Sequence, residues 1–273
     1  MTATHQARSA ARQAGHSKTL TALTRFGLIT YGVLHALVGW LALQIAFGHP
    51  ASEGDQSGAF QTLARQPFGK VMLTLVAIGL SALTVWQALS AAVGHTDEQG
   101  RRRTVERVFS AGRAIVYGAL AWTAFKIVAG AGTSNAQKQE SATSTLMSST
   151  GGRWLVGLAG LAVIGFGVGM AIYGLRRMFE RKLERGRMSP SAERITRILG
   201  MVGYAAKGVA FTIVGVLLVL AAVHRDPSRS RGLDQALRTL AAQPAGPWLL
   251  TLVALGFFAF GAFCLFQARY RKV

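Results

Sequence analysis

The amino-acid sequence predicts an all-α, polytopic membrane protein, with six transmembrane helices in three parallel hairpin repeats about a pseudo-threefold axis. Three observations lead there. Apolar residues make up 51% of the 273 positions and collect into long blocks. Only 15% of residues are charged, against about 25% in an average soluble domain. Segments also recur at matching depths in alternate blocks. The formal charge of +19 arises from 30 bases against 11 acids. It reflects a shortage of acids rather than the crowded basic face of a nucleic-acid-binding domain. The lone cysteine, Cys264, excludes an internal disulfide framework and a Cys-based metal centre.

A helix needs about 20 mostly apolar residues to cross the hydrocarbon core. Six stretches qualify: 26–47, 70–93, 109–131, 154–175, 199–223 and 248–268. They are too long for strands and lack a period-2 alternation. The third block is interrupted by Arg113 and Lys126, whose long stems are expected to snorkel outward toward opposite faces. Omitting it would break the alternation of loops and place the most basic loop, 176–197, outside. The first block exceeds the apolar region of a cleavable leader. It is read as an uncleaved helix behind a basic, disordered tail over 1–24, with repeats at 25–95, 96–185 and 186–273. Most Lys and Arg fall in the segments sharing a side with the termini. The excess of bases on that side predicts that both termini are cytoplasmic.

The repeat is carried by Tyr31-Gly32, Tyr117-Gly118 and Lys207-Gly208 in the odd blocks. Residues 62–69, Thr-Leu-Ala-Arg-Gln-Pro-Phe-Gly, align with 239–246, Thr-Leu-Ala-Ala-Gln-Pro-Ala-Gly. The middle copy, 145–152, keeps Leu146 and Gly152 but lacks Gln-Pro. In the outer loops Ser57 and Asp234 are expected to cap short interfacial helices, which proline ends before glycine permits the turn back. Two helices per repeat give every copy the same polarity, hence an axis along the membrane normal.

On the Tyr-Gly steps and the run at 57–69, the chain resembles the bacterial membrane family described as domain of unknown function 1206. The resemblance covers about residues 20–270. It implies a paired-helix unit present three times, and no established activity or site residues. Mitochondrial carriers also have six helices in three repeats. Their Pro-x-acid-x-x-base motif is absent here, and the odd blocks contain no acid.

Ionisable groups within a bilayer are the candidates for function. Lys207 stands about eight residues into the fifth block, roughly 12 Å from its boundary. With no acid in any block to pair with it, it either snorkels to headgroups, is tied to nearby carbonyls, or faces an anion in a central cavity. Tyr31 and Tyr117 are its equivalents, and His35 follows one turn beyond Tyr31. His35 is read either as a packing histidine or as lining a path with Lys207. A haem would need a second facing imidazole. His49 and His224 share the outer ends of blocks one and five, and two ligands without nearby acids make a poor metal site. No cofactor, metal or catalytic set is expected.

Gly157, Gly160 and the Gly165–Gly169 run are read as a face for close helix packing. The 176–197 stretch, with Glu180, Glu184 and Glu193 among eight bases, is expected to form surface ion pairs and to start a helix at Ser189-Pro190. The expected partners are anionic lipid headgroups at the cytoplasmic face, with any protein partner and the oligomeric state left open and no nucleic acid. The leading function is a noncatalytic interaction, assembly or lipid-organising component of the bacterial plasma membrane. The alternative is a small-solute or anion transporter using Lys207 and His35.

Overall fold

The computed structural model describes residues 18–49, 53–93, 100–131, 134–149 and 151–271. Most of the basic tail and His95 lie outside the described residues. Among the described residues are nine α-helices: α1 (Lys18–Ala46), α2 (Gln56–Ala64), α3 (Gly69–Ala92), α4 (Gly100–Val128), α5 (Asn135–Met147), α6 (Gly152–Leu175), α7 (Pro190–His224), α8 (Gly232–Ala241) and α9 (Gly246–Tyr270). Six of them, α1, α3, α4, α6, α7 and α9, are long and apolar enough to cross a bilayer. The chain is a multi-pass membrane protein. At 35 residues α7 is longer than a bilayer core requires. Its polar first turns, capped by Ser189 with Pro190 at the first helical position, precede the apolar stretch.

The spans stand in the order α4–α3–α1–α9–α7–α6. Their broadest interfaces join the second span of each repeat to the first span of the next: α3 with α4, α6 with α7, and α9 with α1. Lipid gives helices no hydrophobic incentive to associate, so close van der Waals approach has to hold them together. The repeat glycines supply it. A Cβ at Gly32 would come within 2.7 Å of the Gly261 carbonyl oxygen, and one at Gly208 within 2.7 Å of the Gly167 carbonyl oxygen. The third equivalent, Gly118, faces Thr84, with looser clearance.

The short helices α2, α5 and α8 lie at one end of the bundle, and the three are tied to one another. The Asn135 amide donates to Ser57 Oγ at 3.3 Å, and the Gly54 amide to Asp234 Oδ1 at 2.8 Å. Arg231 pairs with Glu140 at 3.1 Å. The expected caps are corrected. Asp55, not Ser57, is the N-cap of α2, and Asp234 lies inside the first turn of α8. Asp234 spends its carboxylate on Gly54 and Arg238 instead. The turns back into the membrane also differ from expectation. The left-handed residues are Phe68 (φ 61°) and Ala245 (φ 59°), whereas Gly69 and Gly246 are needed because a Cβ would strike the carbonyls ending α2 and α8.

At the opposite end, the chain leaving α6 forms two 3-10 turns, Met178–Lys182 and Arg185–Arg187, rather than a continuous helix. Their ion pairs are those of Glu180 with Arg185 and Arg197, Glu184 with Arg187, and Glu193 with Arg185 and Arg197. The Glu184 amide donates to the Tyr270 carbonyl at 2.7 Å, hooking this segment onto the end of α9.

Candidate functional site

The three repeat-equivalent residues meet in the centre of the bundle. Lys207 is only 6% exposed, so the snorkelling reading is replaced. Its position on α7 is set by Gly203 and Gly208, which draw that helix against Phe260 and Gly167 and turn the lysine inward. The amine donates to His35 Nε2 at 3.0 Å and to Tyr31 Oη at 3.2 Å. The Phe260 ring centroid lies 3.9 Å away in the remaining direction. The Tyr31 and Tyr117 side chains are hydrogen-bonded to each other, with ring centroids 5.0 Å apart.

His35 has one consistent tautomer. Its Nδ1 lies 2.8 Å from the Tyr31 carbonyl, which can only accept. The ring proton therefore sits on Nδ1, leaving the Nε2 lone pair for the lysine. An ammonium in this position has its three N–H directions matched by an imidazole, a phenol and an aromatic face. That is how the cation can be buried without a carboxylate. Lys207, His35, Tyr31 and Tyr117 thus form one connected set, walled by Phe257, Phe260 and Cys264.

A second feature was not among the expected sites. The equivalents of Gly27 and Gly203 fall at Arg113 in the middle repeat, four residues before Tyr117 just as those glycines precede Tyr31 and Lys207. In the outer repeats these glycines let the two spans of a hairpin touch. A Cβ at Gly27 would come within 2.5 Å of the Gly79 carbonyl oxygen, and one at Gly203 within 2.7 Å of Phe260 Cα. Gly79 likewise packs on Thr30, and Gly256 on Ala206. The middle repeat has Val116 and Ala162 at those places, both exposed. With an arginine where a glycine is needed, α4 and α6 share no extended contact among the described residues, alone among consecutive spans there. The ring of six spans is therefore open along one seam.

Arg113 does not snorkel away from this seam. Its Nη2 donates to the buried Ser110 Oγ at 3.2 Å, while its Nε is buried without a hydrogen-bond partner. It lies within electrostatic reach of Tyr117, Tyr173, Tyr204, Lys182 and Arg271. Lys182, in the turn after α6, pairs with Glu106 of α4 at 3.0 Å and so spans the seam at its basic end. Burial pulls the Lys182 pKa down, Arg113 adds to that, and the bond to Glu106 opposes both. The Arg271 guanidinium lies 4.6 Å from the Trp86 ring centroid. Repeat alignment alone could have drawn attention to Arg113, since it is the charged member of a Gly/Arg/Gly set.

The glycine face of α6 divides. Gly160 and Gly167 pack tightly on α7, whereas Gly165 and Gly169 face open space. Among the described residues no group of three or more His, Cys, Asp or Glu side chains is placed to hold a metal, and His224 Nδ1 lies 3.0 Å from the Leu220 carbonyl.

Comparison with known proteins adds the family. The chain is similar to Uncharacterized protein YxxB of Bacillus subtilis (strain 168), 33% identical over 253 residues, covering 91% of this chain and 90% of the relative. No solved structure matches. The family described as Domain of Unknown Function (DUF1206) matches three times, at residues 26–94, 109–177 and 202–271, one match for each pair of spans, and the chain belongs to that family.

Proposed function

We propose that this protein is a noncatalytic, lipid-organising component of the bacterial plasma membrane, with both termini cytoplasmic, and that it works by admitting a phospholipid between α4 and α6. The observation that carries this reading is the open seam. Two neighbouring spans stand apart at bilayer depth, and Val116, Ala162, Gly165 and Gly169 leave their faces shallow and apolar. Backbone hydrogen bonds within each helix remain complete, so an acyl chain can fill such a gap without leaving polar groups unpaired. The polar set around Lys207 gives less support to a transport path. Its donors are already matched, and the three tied outer helices lie across one end.

Native mass spectrometry of protein taken from membranes in mild detergent tests the reading. The expected result is tightly held phospholipid and a melting temperature that rises when phospholipid is added back. A chain that emerges lipid-free, with a melting temperature indifferent to lipid, would overturn it. Anion uptake into vesicles that Lys207→Gln abolishes without unfolding the protein would transfer the assignment to transport.

A further inference from the structure

The chemistry at the basic end of the seam specifies which lipid. Arg113 and Arg271 lie close enough to repel each other, and neither has a carboxylate partner among the described residues. Lys182, the third cation there, is already neutralised by Glu106. Two neighbouring guanidiniums without counter-charge, one with a buried and unpaired Nε, are costly in an apolar protein unless an anion joins them. Guanidinium donors match the paired oxygens of a phosphate. Basic pockets between spans on the cytoplasmic side are suited to anionic headgroups.

We infer that the seam is a built site for a phospholipid of net negative charge, its phosphate held by Arg113 and Arg271 and its acyl chains lying between α4 and α6. This rests on the lipid-admitting reading above and names the headgroup class. Lys182 and Glu106 limit the site at its basic end, and the Arg113 bond to Ser110 orients the guanidinium. A zwitterionic headgroup would add a cation beside the two arginines. Selectivity is therefore for net charge and not for phosphate alone.

The test titrates detergent-purified full-length protein with dioleoylphosphatidylglycerol, dioleoylphosphatidylcholine or inorganic phosphate, reading melting temperature and bound lipid by native mass spectrometry. Wild type is expected to respond to the phosphatidylglycerol at roughly tenfold lower concentration than to the phosphatidylcholine, the effect of a charge-assisted bond. Arg113→Gln should bring the two lipids to parity, and Arg113→Lys should retain part of the preference. The Lys variant keeps the test informative if the Gln variant does not fold. Arg187→Gln, an exposed base paired with Glu184 at the same end, should change nothing. Equal response of wild type to both lipids would overturn the inference and leave the seam reading standing, whereas no response to either removes both. Inorganic phosphate that matches and displaces the phosphatidylglycerol would also overturn it, assigning the arginines to a soluble anion.

Discussion

Lys207 shows how a buried cation is accommodated when no acid is at hand. Its amine meets His35 Nε2, Tyr31 Oη and the Phe260 ring, so removal strands the His35 Nε2 lone pair, while Tyr31 keeps its bond to Tyr117. Interhelical hydrogen bonds in membranes average only about 0.6 kcal/mol. A buried group left unsatisfied costs about 1–3 kcal/mol. The second effect dominates here. Lys207→Met should therefore lower stability by about 1–3 kcal/mol, measured by thermal denaturation in detergent. Lys207→Gln, whose amide can still donate, should lose less. Equal stability of wild type and the Met variant would show that the amine is not holding its neighbours. The common depth of Tyr31, Tyr117 and Lys207 was legible in the Tyr-Gly and Lys-Gly steps. Their convergence was not, because helix rotation is set by which neighbour each glycine meets, and one helix's periodicity carries no record of that.

The short helix α2 turns on a single side chain. Asp55 is 2% exposed, and its Oδ1 accepts from the Ser57 and Gly58 amides and from the Ser57 hydroxyl. Burial pushes its pKa above the ordinary carboxylate range, with the bonds from Ser57 and Gly58 opposing the rise. The folded state consequently holds this proton more tightly than the unfolded chain does. This group's contribution to stability then falls as pH rises from the ordinary carboxylate value through the folded one, and it is recovered on acidification. Asp55→Asn keeps an acceptor and removes the buried charge, so it should flatten that dependence at no loss of stability at neutral pH. Asp55→Ala should cost about 0.5–2 kcal/mol through the lost cap. Melting temperatures across pH 4–8, an interval of about the width needed to include carboxylate titration, would decide. A steeper dependence in the Asn variant would exclude the assigned cause. The sequence showed that a short helix belonged in this loop, because Phe60 and Leu63 lie on one side ahead of Gln-Pro. The cap stands two residues before Ser57, at Asp55. Both types cap well, and only the fold shows Ser57 Oγ serving Asn135 instead.

Across the whole molecule, one repeated design yields three strong contacts between successive repeats and only two within repeats. The family matches, the paired spans and the glycines at 32, 118 and 208 all follow threefold logic. The break comes from particular residues of the middle copy, the same copy that lacks Gln-Pro. Where the first repeat has Gly27, Thr30 and Gly79, and the third Gly203, Ala206 and Gly256, the second has Arg113, Val116 and Ala162. The sequence contained this difference, but its meaning depended on knowing that those positions lie where the spans of a hairpin cross. If the three residues hold the seam open, then Arg113→Gly, Val116→Ala and Ala162→Gly together should let α4 close on α6 as α7 does on α9. The closed form gains a tight small-residue interface and loses the Arg113 bond to Ser110. Cysteines placed at Phe109 and Ile172, on the exposed sides of α4 and α6, can report the change through distances between attached spin labels. The triple variant should show a shorter, narrower distribution than the parent pair and should no longer retain phospholipid. Closure with lipid still bound would separate lipid binding from the seam. A distribution unchanged from the parent would mean that something other than these three side chains keeps the spans apart.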